Sequence, residues 1–397
     1  MSTPTEPAFP LATSSWDAAE YAAIQNVVDS GRFTMGPLVK QFESDFAALF
    51  DARYGVMVNS GSSANLAAIA AAVIDPRFDL GPGDEVLVPA VSWATTYFPL
   101  HQYGLVLKFV DIDIDTLNID LALAEAAIGP RTKAIFAVNL LGNPNDLAAL
   151  TALTERHNLL LLEDNCESLG ARDNGIWAGT AGLMGTFSAF FSHHISTMEG
   201  GVVLTDDDQL YQELISIRAH GWTRELPAEN LVHPKSGDPF DDLYRFVLPG
   251  YNIRPLEMSG AIGVEQVKKI PGLIAGRREN AAYFVEKFRE VPEVRIQRET
   301  GESSWFGFSF VLEGSLAGRR REVVSALAAA GVESRPIVAG NFTRSPVMKH
   351  LNAIVPDALP AADRIHDDGL FVGNHHFPVH AGIDLLFDTV RGIASTR

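Results

Sequence analysis

Residues 54–74 read YGVMVNSGSSANLAAIAAAVI, and this stretch defines the architecture of the chain. Its first part, Tyr54 to Asn59, is a short apolar run with two valines, which predicts a buried strand. A Ser-Gly-Ser-Ser turn follows, and an alanine-rich helix begins directly after it. The stretch therefore predicts a strand–turn–helix unit, from which sheets covered by helices are built.

The same alternation of short apolar runs and helical segments continues to about residue 206. It predicts an α/β fold with a largely parallel sheet covered on both faces. The predicted strands are Tyr54 to Asn59, Glu85 to Pro89, Val106 to Asp111, Lys133 to Val138, Leu159 to Glu163, Gly185 to Phe191 and Gly201 to Thr205. Ligands of such sheets bind beyond the carboxyl ends of the strands, where several polar motifs of this chain lie.

The length of 397 residues is large for one hydrophobic core and predicts two domains. The Ile270-Pro271-Gly272 turn signal favours a boundary there, with a large domain over 1–270 and a smaller one over 271–397. The second part is predicted to contain helix Arg277 to Val291, strand Ser304 to Leu312, helix Arg319 to Ala330 and the extended run Glu333 to Ile337. That mixture is typical of a small α+β domain.

Charge and cysteine content exclude several classes of protein. Lys and Arg number 31 against 49 Asp and Glu, and no basic block occurs, which argues against nucleic-acid binding. No run of about 18 apolar residues and no leader pattern in MSTPTEPAFPLATSSW occurs, so we expect a cytoplasmic protein without membrane association. The single cysteine, Cys166, excludes a four-cysteine iron–sulfur or zinc site built from one chain.

The turn at residues 60–63 is a candidate phosphate site. Amides at the start of the helix, with the hydroxyls of Ser62 and Ser63, can hold an anion. An ordinary serine cap with a glycine turn explains the same residues. A lysine in the P-loop position is missing, so a P-loop is disfavoured. Trp93 follows the next strand at the same edge, where it could stack on a planar ring or belong to the core.

A carboxylate pair ends the strand in LLLLEDNCESLGA. Buried carboxylates are costly unless a cation or strong donor meets them, and a protonated ring nitrogen would meet Asp164. Metal binding by Glu163, Asp164 and Glu167 is the alternative, and the lack of a nearby histidine disfavours it. The acidic run 111–120 lacks the glycine and the final glutamate of a calcium loop. We therefore predict no metal site.

A histidine pair lies in FSHHISTMEGG, residues 191–201, between two predicted strands. Neighbouring side chains of an extended segment point to opposite sides, so His193 and His194 cannot both face one ligand. An imidazole can move protons near neutral pH but cannot form the Schiff base that a lysine forms with an aldehyde. Ser188 precedes the pair on the strand, and Gly200-Gly201 begins the next one.

The motifs together resemble the DegT/DnrJ/EryC1/StrS family of sugar aminotransferases, which use pyridoxal phosphate. The resemblance covers almost the whole chain, through GRFTMGPLVKQFESDFAALF, SGSSAN, GDEVLVPAVSWATT, EDNCESLGA and GYNIRPLEMSGAIGVEQVKKI. It implies an aspartate aminotransferase-like fold of type I and a homodimer with active sites at the subunit interface. For the cofactor it implies that Ser62, Ser63 and Ser188 contact the phosphate and that Trp93 stacks on the ring. It also implies that Asp164 contacts the ring nitrogen, that Glu167 lies near the ring hydroxyl, and that Asn252 reaches the phosphate across the dimer.

His193 stands where the family carries its lysine, which resembles the 3-dehydratase branch that removes the C3 hydroxyl of nucleotide-linked 4-keto-6-deoxy sugars. The cysteine content matches the branch without an iron–sulfur cluster. The resemblance implies pyridoxamine or pyridoxal phosphate that is not covalently bound, and His193 as acid and base. It further implies GDP-4-keto-6-deoxy-D-mannose as substrate, L-glutamate as amino donor, release of ammonia, and a place in colitose and lipopolysaccharide O-antigen synthesis.

Candidate substrate contacts are the donors suited to a nucleotide diphosphate, namely His220, Arg224, Arg254, Arg335 and Asn341. Two other functions stay open. An aminotransferase would need another lysine, for which Lys108, Lys133 and Lys235 are candidates, although none precedes a Gly-Gly strand start. A protein that binds the cofactor or the sugar nucleotide without catalysis is the third hypothesis, and the acid–base His193 argues against it.

Overall fold

The computed structural model describes residues 7–395. The strands are β1 (Tyr54–Val58), β2 (Glu85–Pro89), β3 (Val106–Val110), β4 (Thr132–Val138), β5 (Leu160–Asp164), β6 (Arg172–Asp173), β7 (Ile176–Trp177), β8 (Met184–Ser188), β9 (Gly201–Thr205), β10 (Val294–Ile296), β11 (Gly307–Leu312), β12 (Ser334–Arg335), β13 (Ala353–Ile354) and β14 (Gly369–Gly373). The helices are α1 (Ala18–Ser30), α2 (Pro37–Leu49), α3 (Gly61–Ile74), α4 (Ala94–Gln102), α5 (Leu121–Ala127), α6 (Leu147–His157), α7 (Asp208–Ile217), α8 (Glu257–Phe288), α9 (Arg320–Ala329), α10 (Pro360–Asp368) and α11 (His380–Ser395). The N-terminal run that we expect to contain no leader begins at residue 1. Its first six residues lie outside the described residues.

Within residues 7–395, the main sheet has eight strands in the order β1-β9-β8-β5-β4-β2-β3-β13. Its pairs are parallel except those of β9, which runs antiparallel to β1 and β8. The loop 189–200 that joins β8 to β9 contains no helix, and a parallel return needs a longer crossover. The predicted, mainly parallel sheet is confirmed, and the histidine pair lies in the loop that makes the exception.

Helices cover both faces of this sheet, so β2, β8 and β9 are buried along their whole length. Helix α3 packs against β8 and β9. Its buried residues include Ala64, Ala67, Ala68, Ala70, Ala71 and Ala72. These small side chains let the helix axis approach the sheet closely, and the first turn of α3 therefore lies beside the strand ends.

The C-terminal part forms a smaller antiparallel sheet in the order β10-β11-β14-β12. Its core is aromatic and includes Phe284, Phe288, Phe308 and Phe310, with leucines and valines of α9 and α11. This matches the predicted α+β character. Strand β11 begins at Gly307 rather than Ser304, because the Ser304 and Phe306 amides donate to Gly142 O (2.8 Å) and Leu141 O (3.1 Å) of the main-sheet region.

The predicted boundary at Ile270 lies inside α8, which continues through Pro271. The first half of α8 packs against α1 and α2, and its second half packs against α11 and β10, so packing on both sides maintains the helix where a Pro-Gly pair suggested a break. A division into 1–270 and 271–397 stays a prediction. Strand β13 also joins the main sheet beside β3. Although α8 spans 32 residues, no helix among residues 7–395 has the length and apolar character of a membrane span.

Candidate active site

A cavity of about 670 Å³ lies between the carboxyl ends of the main-sheet strands and the edge of the small sheet. Segments that follow β4, β5 and β8 line one side, and residues near β11, β12 and β14 line the other. Of the residues selected from the sequence, the cavity brings together Ser62, Trp93, Asp164, Glu167, Ser188, His193 and Arg335.

Asp164 ends β5 with its carboxylate buried under the cavity floor. Oδ2 accepts hydrogen bonds from Asn65 Nδ2 (2.8 Å) and Thr96 Oγ1 (2.7 Å), and Oδ1 accepts from the Cys166 amide (3.2 Å). All three donors are neutral. A buried carboxylate with only neutral partners suits a cationic group supplied by a ligand, such as a protonated ring nitrogen.

Glu163 points away from this cavity, since successive side chains of a strand alternate between faces. Its carboxylate accepts from the amides of Gly179 (2.8 Å), Ala181 (2.8 Å) and Gly182 (3.1 Å). The alternative of a metal site on Glu163, Asp164 and Glu167 therefore lacks one of its ligands. No cluster of three or more potential metal ligands occurs among the residues that the structure describes.

Glu167 lies beside Asp164 in the wall of the cavity and accepts from the Leu141 amide (3.1 Å). Burial, together with the negative charge of Asp164, raises the pKa of Glu167 to about 7. The carboxyl group of Glu167 can therefore hold a proton at neutral pH and donate a hydrogen bond into the cavity.

The start of α3 and Ser188 form one end of the cavity. Ser60 caps the helix by accepting from the Ser63 amide (3.1 Å), which leaves Ser62 exposed to the cavity and turns Ser63 toward Ser60. A methyl group on Gly61 would lie 2.6 Å from Ser188 Cβ, so glycine is needed for this close approach. Free amides and two hydroxyls in so narrow a space fit a phosphate group.

Trp93 precedes α4 and lines the cavity with 59% of its surface exposed. Its interpretation as a core residue is therefore wrong. An indole that is exposed on one side of a cavity offers a flat apolar face to a planar ring.

The histidines face different surroundings, as their adjacency predicts. His193 lines the cavity, and its ring lies edge-on to Phe306 with centroids 5.2 Å apart. His194 is buried, with Nε2 3.2 Å from Ser304 O. His193 Nδ1 is buried without a hydrogen-bond partner, which leaves Nε2 as the ring nitrogen for the cavity.

The pKa of His193 departs from the ordinary value expected from the sequence. Burial, and secondly the positive charge of Arg277, lower it to about 4. The imidazole is therefore neutral at neutral pH, in the form that accepts a proton. Once protonated, the His193 imidazolium is a stronger acid than that of an ordinary histidine, because its pKa is lower.

Four predicted contacts lie together on another surface of the same chain, outside the cavity lining. Asn252 accepts from Arg254 Nε (3.0 Å) and forms a bridge with Ala219, next to His220. Arg224 lies over the ring of Trp222 (5.8 Å), which contacts the His220 ring. The structure therefore brings Asn252, Arg254, His220 and Arg224 to one place, but not to this chain's own cavity.

Asn341 does not reach the cavity lining. It is buried, donates to Asp363 Oδ1 (2.9 Å) and accepts from the Thr343 amide (3.0 Å), so its amide is satisfied within the fold. Asn341 also caps the short helical turn Phe342–Arg344, and its contact with the substrate stays a prediction.

Several lining residues carry no sequence signal. Leu11 comes from the N-terminal segment, and Phe306, Val338 and Phe371 come from the small-sheet region. Val338 has φ of 45°, which is unusual for a β-branched residue and marks local strain at the cavity. These positions reach the site only through long-range packing.

Comparison with known proteins agrees with this arrangement. A model of the DegT/DnrJ/EryC1/StrS aminotransferase family matches residues 14–381. The chain belongs to this family. Within the DegT/DnrJ/EryC1/StrS family it is 57% identical to GDP-4-keto-6-deoxy-D-mannose 3-dehydratase of Yersinia pseudotuberculosis over 96% of this chain and 98% of that protein. The protein of the same name from Escherichia coli is 54% identical over 96% and 99%.

A solved structure in the DegT/DnrJ/EryC1/StrS family has the same fold. It is a GDP-4-keto-6-deoxymannose-3-dehydratase with a trapped PLP–glutamate geminal diamine. The two chains superpose with a TM-score of 0.94 at 53% identity, covering 96% of this chain and 99% of the other. The type I fold inferred from the motifs is confirmed.

Proposed function

We propose that this protein is a 3-dehydratase that removes the C3 hydroxyl of GDP-4-keto-6-deoxy-D-mannose with pyridoxamine phosphate as cofactor, consuming L-glutamate and releasing ammonia. One observation carries the proposal: His193, not a lysine, occupies the cavity wall beside Asp164, Ser188 and Trp93. The relatives of this name at 57% and 54% identity support the substrate.

The alternative of an aminotransferase with another lysine receives no support. Lys108 pairs with Glu85 (2.8 Å) and Lys133 with Asp79 (2.9 Å), away from the cavity. Lys235 is also outside the lining, and among residues 7–395 no lysine lines the cavity. These positions support a cofactor that is held without a covalent bond to the protein.

The cavity fits this cofactor by the chemistry of its donors. Ser62, Ser188 and the free amides of α3 would hold the phosphate, Trp93 would stack on the ring, and Asp164 would meet the ring nitrogen. When bound, the cofactor supplies an amine for the C4 ketone and a ring that withdraws electrons. Glu167, with a pKa raised to about 7 by burial, carries a proton toward the ring hydroxyl.

His193 moves the proton of the reaction. The imidazole is neutral at neutral pH, and its Nε2 accepts a proton inside the cavity. The low pKa makes the resulting imidazolium a ready acid, which donates to the departing C3 hydroxyl. The rings of Phe306 and Phe190 lie edge-on to the His193 ring, with centroids 5.2 Å and 5.9 Å away, and form an apolar part of the cavity wall beside it.

The active site is completed in a homodimer. Asn252, His220, Arg224 and Arg254 then belong to the partner's cavity, where Asn252 reaches the phosphate and the cationic residues contact the nucleotide diphosphate. Exposed aromatic side chains next to these residues support an interface, because Phe240, Tyr244 and Phe246 are 79%, 74% and 56% exposed. Arg335 reaches the substrate from within the same chain.

The protein is cytoplasmic, and Cys166 alone provides no iron–sulfur cluster.

The decisive experiment incubates the protein with pyridoxamine phosphate, L-glutamate and GDP-4-keto-6-deoxy-D-mannose. We expect ammonia and a sugar nucleotide that is lighter by one oxygen atom. Parallel reactions with the CDP- and dTDP-linked sugars measure the preference for guanine. Transfer of the amino group to the sugar would overturn the proposal, and binding without any turnover would favour the non-catalytic hypothesis.

A further inference from the structure

We propose that Arg277 is a positioning residue for His193. Arg277 acts on His193 through the segment Ser304–Phe306. This inference rests on the proposed role of His193 as the acid and base. Arg277 does not line the cavity itself. It lies behind the wall on which both histidines pack.

Arg277 is a buried cation that is held by main-chain carbonyls. It is 7% exposed on α8, and Nη1 donates to Asn374 O (2.8 Å), Phe306 O (3.0 Å) and Trp305 O (3.5 Å). Its Nε is buried without a partner. Among the ion pairs found within residues 7–395, the neighbouring Arg278 pairs with Glu299, but none includes Arg277. Burial alone lowers the pKa of Arg277 to about 10. A buried arginine without a carboxylate is costly, and such a cost is tolerated where the charge or the geometry is used.

The segment Ser304–Phe306, to which Arg277 donates hydrogen bonds, has an unusual backbone conformation. Trp305 has φ of 48°. On its other side, a methyl group on Gly142 would lie 2.4 Å from the Trp305 amide nitrogen. The Ser303 hydroxyl also donates to Gly142 O (2.8 Å). The segment is therefore clamped between Arg277 and the 140–142 turn.

Both histidines take their positions from this segment. The Phe306 ring lies 5.2 Å from the His193 ring and 5.5 Å from the His194 ring, centroid to centroid. His194 Nε2 lies 3.2 Å from Ser304 O. Releasing the carbonyls of Trp305 and Phe306 from Arg277 would move the Phe306 ring, and the His193 imidazole would then lose its fixed orientation.

Arg277 also sets the charge that His193 experiences. Its positive charge lowers the pKa values of His193, His194, His375 and His376, in each case after burial. The cavity that His193 lines is also lined by Asp164, Glu167 and Glu199, which carry carboxylates, and by Arg335, which carries a positive charge. Arg277 is the buried charge that opposes protonation from the protein side.

The test compares Arg277→Met with Arg277→Lys and with Lys268→Met, an exposed cation of α8 paired with Glu265. The His193 imidazole is titrated by NMR in cofactor-free protein, with its signal assigned through His193→Asn. We expect Arg277→Met to raise the pKa of His193 by about one unit. Arg277→Lys keeps the charge, so the pKa of His193 should stay close to the wild-type value, and Lys268→Met should leave that pKa unchanged.

Kinetics give the second measurement. We expect Arg277→Met to lower kcat at least about tenfold, with KM for the sugar nucleotide little changed, and to move the acidic limb of the pH–rate profile upward. A His193 titration that is identical in wild type and Arg277→Met would overturn the inference. If Arg277→Met fails to fold, Arg277→Lys and Phe306→Leu test the positioning, because unchanged kcat in both would also overturn it. The titration needs no turnover, so it separates this inference from a failure of the proposed reaction.

Discussion

The Asn65 amide donates to Asp164 Oδ2 over 2.8 Å, which connects the first turn of α3 to the end of β5. The same Asn65 accepts from the Thr186 hydroxyl (2.5 Å) on β8. One side chain therefore orients the candidate nitrogen contact and connects it to the elements that carry the serines proposed to bind the phosphate. The two ends of the proposed cofactor site are fixed relative to each other by buried hydrogen bonds.

We expect Asp164→Asn to abolish dehydration while leaving the fold intact. An asparagine preserves the shape and can still accept from Asn65 and Thr96, but it cannot stabilise a protonated ring nitrogen. The loss of kcat should reach about 100-fold or more, the cost of removing one electrostatic partner from an enclosed site. Steady-state ammonia release measures it. Thr96→Val, which removes one neutral donor, should cost less, and equal losses in the two variants would contradict the role of the charge.

Gly61→Ala should weaken cofactor binding. The added methyl group would lie 2.6 Å from Ser188 Cβ and 3.0 Å from Cys166 Sγ, so either the start of α3 or the Ser188 strand must shift. We expect the Kd for pyridoxal phosphate to rise about tenfold or more, measured by fluorescence titration, because phosphate contacts depend on placement within an ångström.

Gly272→Ala is the matched control for this variant. Gly272 lies in α8 with nothing within 4 Å of an added Cβ. Alanine in an open helical position should stabilise the protein by about 0.4–1 kcal/mol and leave cofactor binding unchanged. If both glycine variants bound the cofactor like the wild type, the narrow cradle at Gly61 would have no role in holding the phosphate.

The fold and the centre of the site were accessible to sequence reasoning because they depend on local patterns. Strand β5 and its terminal Asp164 follow from an apolar run that ends in carboxylates, and His193 follows from a loop between two strands. The adjacency of His193 and His194 in an extended segment also predicts that only one of them faces the cavity. Each of these features is encoded within about ten residues.

The features that sequence reasoning missed arise from contacts between distant segments. Phe306 reaches His193 only because the chain before β11 hydrogen-bonds to the 140–142 turn. Pro271 suggested a break, yet packing of both halves of α8 maintains the helix. The hydrogen bond from Asn341 to Asp363 of α10 likewise joins two segments that are 22 residues apart in the sequence.

His193→Lys should convert the mode of cofactor binding. The lysine amine can form a covalent bond with the cofactor aldehyde, which borohydride reduction would fix to the protein and mass spectrometry would detect. Dehydration should fall at least about 100-fold, because the lysine amine is held in its bond to the cofactor and no imidazole remains to move the proton. His193→Asn is the control and should bind the cofactor without a reducible bond. Surviving dehydration in either variant would show that His193 is not the base.

His375 should make the protein less stable in acid. It is 1% exposed, with Nδ1 3.0 Å from Thr13 Oγ1 and Nε2 2.9 Å from Pro10 O, so it attaches the N-terminal segment that carries Leu11 to the cavity. Burial lowers its pKa from 6.5 to about 4. The folded state therefore resists protonation. The stabilisation is complete above the unfolded pKa of 6.5 and is lost as the pH falls toward 4.

His375→Gln should flatten this dependence, since glutamine does not titrate and its amide can still donate to Pro10 O. Urea unfolding at about pH 7.5 and about pH 5.0 measures the free energy of unfolding, and the wild type should lose on the order of 1–2 kcal/mol more than the variant. Glu167, whose raised pKa has the opposite effect on stability in acid, is present in both proteins and cancels in the difference. Equal losses in the two proteins would mean that His375 titrates alike in the folded and unfolded states.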